Sequence, residues 1–155
     1  MRSTGSFVAT LAACSVAVVV CIAADAQMGT WKLNEAKSKL SPGMPKNHTV
    51  VYAVAGDGVK VTVDGTDASG KPLHNEWTGK FDGQEYAVTG DATVDMRSYK
   101  KVDDRTLELS GKKDGKITQT GSVVVSPDGK TRTVTLTRTS ATGEKITGTW
   151  VYDKG

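Results

Sequence analysis

The sequence predicts an all-β chain, a single up-and-down antiparallel β-barrel of about ten strands behind an N-terminal signal peptide. Three observations carry this. Apolar and polar residues alternate with period two through most of the chain after Gln27. Asp-Gly recurs at 57–58, 64–65, 82–83, 114–115 and 128–129, and both residues tolerate the positive φ that tight hairpin turns require. The connections are short and regular, and a meander that long would expose its edges unless the sheet closed on itself.

The first stretch, MRSTGSFVATLAACSVAVVVCIAADA, sets one basic residue, Arg2, before a long apolar run that ends on Ala24-Asp25-Ala26. That A-x-A ending predicts signal-peptide cleavage after Ala26, so residues 1–26 are read as signal and 27–155 as one barrel domain, periplasmic or secreted. Leu11 to Cys14, LAAC, has the form of a lipoprotein-processing box, but the apolar run continues past it. Nothing later in the chain is apolar enough to span a bilayer, so no stable membrane span is expected in the mature form. Both cysteines, Cys14 and Cys21, leave with the signal, and with them any disulfide or thiolate site. The net charge of +3 is spread along the chain and indicates no particular partner.

The alternating runs follow in order: GTWKLN (29–34), HTVVYAVA (48–55), VKVTVDG (59–65), LHNEWTGK (73–80), EYAVTG (85–90), TVDMRSYKKV (93–102), RTLELSG (105–111), KITQTGSVVV (116–125), KTRTVTLTRTS (130–140) and EKITGTWVYD (144–153). The one long connection is Glu35 to Lys46. There Asn34 can cap a turn or two of helix over Glu35 to Leu40, and Pro42 and Pro45 stop it. Alternation sets Val59, Val61 and Val63 on one face, Leu107 and Leu109 on one face, and Ile146, Trp150 and Tyr152 together, all toward the interior with Trp31 and Leu33. Small and medium residues dominate these positions. With about ten strands, the barrel is wide enough to leave a cavity.

Two end strands carry a family resemblance. GTWKLN, Gly29 to Asn34, resembles the first strand shared by lipocalins and intracellular fatty-acid-binding proteins, in which Gly-x-Trp closes the narrow end of the barrel. GTWVYDKG, Gly148 to Gly155, resembles the last strand of the fatty-acid-binding branch, matched at Tyr152, Asp153 and Lys154. The opening is also similar to that of small exported bacterial lipocalin-like proteins. The resemblance implies a calycin barrel holding a small hydrophobic or amphipathic ligand, with no cofactor. Fatty-acid-binding proteins place an Arg two residues before that Tyr to grip a carboxylate; here the position is Trp150, which suits a less polar ligand. Lipocalins set a basic residue over the first-strand Trp, and Arg138 and Lys154 are the candidates.

Trp150 and Tyr152 are therefore the first candidates to line the cavity. DMRSYK puts Asp95, Arg97 and Tyr99 on one side of a strand and Val94 and Met96 on the other. The Val/Met side suits the core, which would turn the polar side to solvent. Should it face inward, Arg97 and Tyr99 replace the missing carboxylate clamp. His74 and Glu76 share a face and could form a proton-transfer pair, but Leu73 and Trp77 claim the buried side, so no catalytic residue is assigned. His48 is the only other histidine, and DGTDASG lacks most of a calcium loop's ligands, so no metal site is expected. No phosphate loop or basic–aromatic stripe for nucleic acid is present. Thr131, Thr133, Thr135, Thr137 and Thr139 alternate on one run and belong outside, beside Thr118, Thr120, Ser122, Thr147 and Thr149. Two other readings of the chain follow: an interaction module binding protein or glycan through that threonine face or the loops, and a lipocalin-fold isomerase or cyclase.

Overall fold

The computed structural model describes residues 25–140 and 142–155. The expected signal segment thus lies outside the described residues but for Asp25 and Ala26, as do both cysteines. Those two residues are packed onto the barrel: Asp25 takes an ion pair from Lys101 at 3.1 Å, and Ala26 lies against the core.

Among the described residues the strands are β1 (Gly29–Leu33), β2 (Lys39–Leu40), β3 (Lys46–Ala55), β4 (Gly58–Thr66), β5 (Pro72–Gly79), β6 (Tyr86–Thr89), β7 (Met96–Lys101), β8 (Thr106–Lys113), β9 (Lys116–Val125), β10 (Thr131–Thr139) and β11 (Lys145–Lys154). Each of β3 to β11 pairs antiparallel with the next, and β1 bridges β3 and β11, through Trp31↔Val50 and Trp31↔Lys154. Ten strands therefore close a barrel; β2 merely continues the line of β1 along β11, at Gly148↔Leu40 and Thr149↔Lys39. The architecture is consistent with the lipocalin and fatty-acid-binding resemblance.

The turn chemistry explains the closure and corrects two readings. Asp114 and Gly115, with φ 50° and 76°, link Lys113 to its partner Lys116, as a two-residue turn of mirror-image type demands. Asp64-Gly65 makes no turn; it lies inside β4, where the β3–β4 register slips between Lys46 and Thr49. A Cβ on Gly65 would stand 2.0 Å from the Lys46 carbonyl oxygen, so glycine here permits a bulge. The expected helix shrinks to one 3-10 turn, Glu35–Lys37, capped by the Asn34 side chain at 3.2 Å from the Lys37 amide. Its continuation is lost because Lys39 and Leu40 find strand partners on β11.

The two ends of the barrel differ. At the closed end lie residues 25–28 and the turns at 56–57, 80–85, 102–105 and 126–130; the other end carries 34–45, 67–71, 90–95, 114–115, 140 and 142–144. The closed half of the interior is aromatic rather than small-residue. Tyr99 meets Trp77 edge-on at 4.9 Å between ring centroids and Tyr52 at 6.4 Å, while Phe81 stacks on Trp77 at 6.4 Å. Such rings bury large apolar areas in preferred geometries, and they fill this half.

Candidate ligand-binding cavity

Toward the open end the packing gives way to a cavity of about 630 Å³. Its apolar wall comes from Val61, Val63 and Leu109, inward positions predicted by alternation, together with Val134 and Leu136 of β10. All four candidate residues reach it: Trp150, Tyr152, Arg97 and Tyr99. Three are less than 5% exposed and Arg97 is 7% exposed.

Arg97 and Tyr99 overturn the expectation that this strand turns its polar side to solvent. β7 begins only at Met96, so Val94, buried in the preceding loop, does not share its alternation. Directly opposed residues share a face, and Tyr99 opposes Leu109 while Arg97 opposes Gly111. The absent side chain at Gly111 is taken up by Gln119 and Val94, whose atoms would lie within 2.8 Å of a Cβ there, and the Arg97 guanidinium donates from Nη2 to Asp91 at 3.4 Å. Trp150 lines the cavity less as a ligand contact than as an anchor. Its indole N–H donates to the Pro45 carbonyl at 2.9 Å, tying the long β2–β3 connection to β11. The Cβ of any residue at 148 would stand 3.0 Å from both the Trp150 ring and Met44, so the second Gly-Thr-Trp needs its glycine for close packing.

One residue escaped the sequence reading. Arg132, 3% exposed, sits on β10 directly across from Tyr152. Its Nη2 donates to the Tyr52 hydroxyl, and its guanidinium carbon lies 4.6 Å from the Tyr52 ring centroid and 5.4 Å from that of Tyr152. Nε and Nη1 of Arg132 are buried with no partner among the described residues. The signal was present: if Thr131 and Thr133 face out, Arg132 must face in. Burial pushes the Tyr52 and Tyr152 hydroxyls above the ordinary tyrosine value, with the Arg132 cation pulling against that rise in both. Both phenols thus stay neutral and able to donate.

Arg138 also points inward, and its Nη2 donates to Gln119 at 3.4 Å. Burial lowers its pKa, against the pull of Asp91, but it remains a cation. It does not cover Trp31; Lys154 does, with its ammonium 4.3 Å from the ring centroid. His74 stands on the outer wall at the rim, Nδ1 2.6 Å from Asp64 and Nε2 3.5 Å from Glu76, and the Asp64 hydrogen bond raises its pKa. This pair is aimed at solvent, not into the barrel. The threonine face is outward as expected, with Thr137 across from Thr147 and Thr120, and Thr135 across from Thr149 and Ser122.

No protein-family model and no curated protein matches the chain.

Proposed function

We propose that this barrel is an exported small-molecule binding protein that holds an amphipathic acid in its interior. The apolar part lies along the valine and leucine wall, and the acid group sits on Arg132 between the Tyr52 and Tyr152 hydroxyls. The observation that carries this reading is Arg132, whose Nε and Nη1 are buried without a partner and which has no carboxylate beside it among the described residues. A buried guanidinium without a carboxylate costs several kcal/mol unless something compensates it, and an anion in the adjoining cavity would supply that compensation with charge-assisted hydrogen bonds. Trp150 argued for a less polar ligand; Arg132 supports a charged one, because it restores across the strand pair what position 150 lacks along the strand. The A-x-A signature supports placement in the periplasm or outside the cell. The export signal and the resemblance at the two end strands together support a carrier of the lipocalin-like kind.

The test is a titration of the purified protein with anilinonaphthalene sulfonate, an anionic dye that brightens in apolar surroundings, followed by displacement with hexadecanoic acid. Saturable brightening reversed by the acid is expected, and Arg132→Met is expected to weaken both by at least about tenfold. A native protein that takes up neither dye nor acid would sink the reading.

A further inference from the structure

β10 carries a second cation on the same inward face. Arg132, Val134, Leu136 and Arg138 alternate along the strand, and all four line the cavity. Six residues separate the two arginines, so their Cα atoms stand ~20 Å apart at ~3.3 Å per residue. One lies deep, beside the closed half; the other lies at the mouth, next to Arg97. Between them the inward face of the strand offers only Val134 and Leu136.

At the mouth, as deep in the barrel, one guanidinium has no carboxylate within ion-pair distance among the described residues. Two carboxylates border the cavity there. Asp67 is half-buried and accepts from the Ser69 and Lys71 amides of its own turn at 2.8 and 3.0 Å. Asp91 faces Arg97 at 3.4 Å and leaves Arg138 with the Gln119 amide alone. Nε of Arg97 and Nε of Arg138 are both buried without a partner among the described residues, and so is Oδ1 of Asn75 beside them. Asp91 thus pairs with Arg97, and among the described residues no carboxylate lies within ion-pair distance of Arg138.

We infer that the ligand is two-headed: an elongated molecule with an acid group at each end, one on Arg132 and the other on the Arg97–Arg138 pair, its apolar middle against Val134 and Leu136. The inference rests on the reading that the ligand occupies the interior, and adds to it the second anchor and a preferred length. A one-headed acid leaves the mouth arginines as they are. A two-headed acid that is too short reaches only one anchor, and one that is too long must fold within the cavity.

Isothermal titration of the purified protein with linear dicarboxylic acids of increasing length, each beside its monocarboxylic counterpart, tests this. The expected result is a preference of about tenfold for the diacid at one matching length, the effect of one further charge-assisted contact near the surface, fading for shorter and longer chains. Arg138→Met should bring the diacid-to-monoacid ratio at that length to about one, and Arg138→Lys should recover part of it. Equal binding of monoacid and diacid at every length, or an affinity that simply climbs with chain length for both, overturns the second anchor while the acid-binding reading stands. A preference that survives Arg138→Met overturns its placement. Failure of both series to bind overturns the acid-binding reading itself. The length series uses the native chain, so it decides the matter even if the variants do not fold.

Discussion

At the closed end of the barrel most polar groups find one another, whereas in the cavity they do not. The Trp31 indole N–H donates to the Gln27 carbonyl at 2.8 Å, the Gln27 amide donates to the Arg105 carbonyl at 3.2 Å, and Lys154 spans the ring face and the Met28 carbonyl. Among the described residues only Gln27 Oε1 is left over there. Some residues further in, Arg132, Arg97, Arg138 and Asn75 all keep buried atoms without partners. The first region satisfies its polar groups; the second leaves buried cationic nitrogens unpaired, at a cost in stability. The same fold thus separates a satisfied half from an unsatisfied half along the barrel axis.

Mutations should separate the halves by sign as well as size. Trp31→Ala removes a side chain with no exposed surface and opens the floor, so urea unfolding should show a loss of about 3–5 kcal/mol. A loss below 1 kcal/mol would mean that the floor is not the stable half. In the cavity the expected sign reverses. Arg132→Met alone strands the Tyr52 hydroxyl, but Arg132→Met with Tyr52→Phe replaces both partners by apolar groups, and should gain about 1–3 kcal/mol while abolishing acid binding. A destabilised double variant would make Arg132 a structural residue.

The buried phenols add a pH dependence to the comparison. Their folded pKa values lie above the unfolded value of about 10, so the folded state keeps protons that the unfolded chain gives up. Their contribution is complete below pH ~10 and declines above it, by about 1.4 kcal/mol per pH unit for each tyrosine. Tyr52→Phe should flatten the decline between pH ~10 and ~11 in urea midpoints; an unchanged slope would assign the alkaline loss elsewhere. Smallest of all should be Lys154→Met. Burial first, then the neighbouring Arg132, already lowers the pKa of this ammonium, and removing its contact with the Trp31 ring should cost about 0.5–1 kcal/mol by thermal melting.

The strand pattern was legible because each strand has one wet face. Alternation placed Val61, Leu109 and Tyr152 correctly, and the Asp114-Gly115 turn followed from the φ values that only such residues accept easily. Gly29 belongs with them: its φ of 107° and the Lys154 amine 2.9 Å from where a Cβ would sit explain why Gly-x-Trp opens the barrel. The failures share a cause, namely partners distant in sequence. Leu40 became a strand residue because Gly148 lies across from it, and Arg97 faces inward because Tyr99, two residues on in the same strand, pairs with the inward Leu109. Arg132 is different. Its direction was implied by the outward threonines, but a threonine pattern draws the eye to the surface it decorates, and the arginines between them are hidden in the same string.

The three indoles mark three heights in this barrel. Each gives its N–H to a backbone carbonyl, of Gln27, Arg97 and Pro45 for Trp31, Trp77 and Trp150 respectively, so all are held in rigid, dry settings. Only Trp150 borders the cavity. Its emission should respond most strongly to a guest in the cavity, and energy transfer from the indoles to a fluorescent guest, compared between variants that keep one indole at a time, would read out where that guest sits. The residue that seemed to limit what the barrel could carry is thereby its built-in optical gauge.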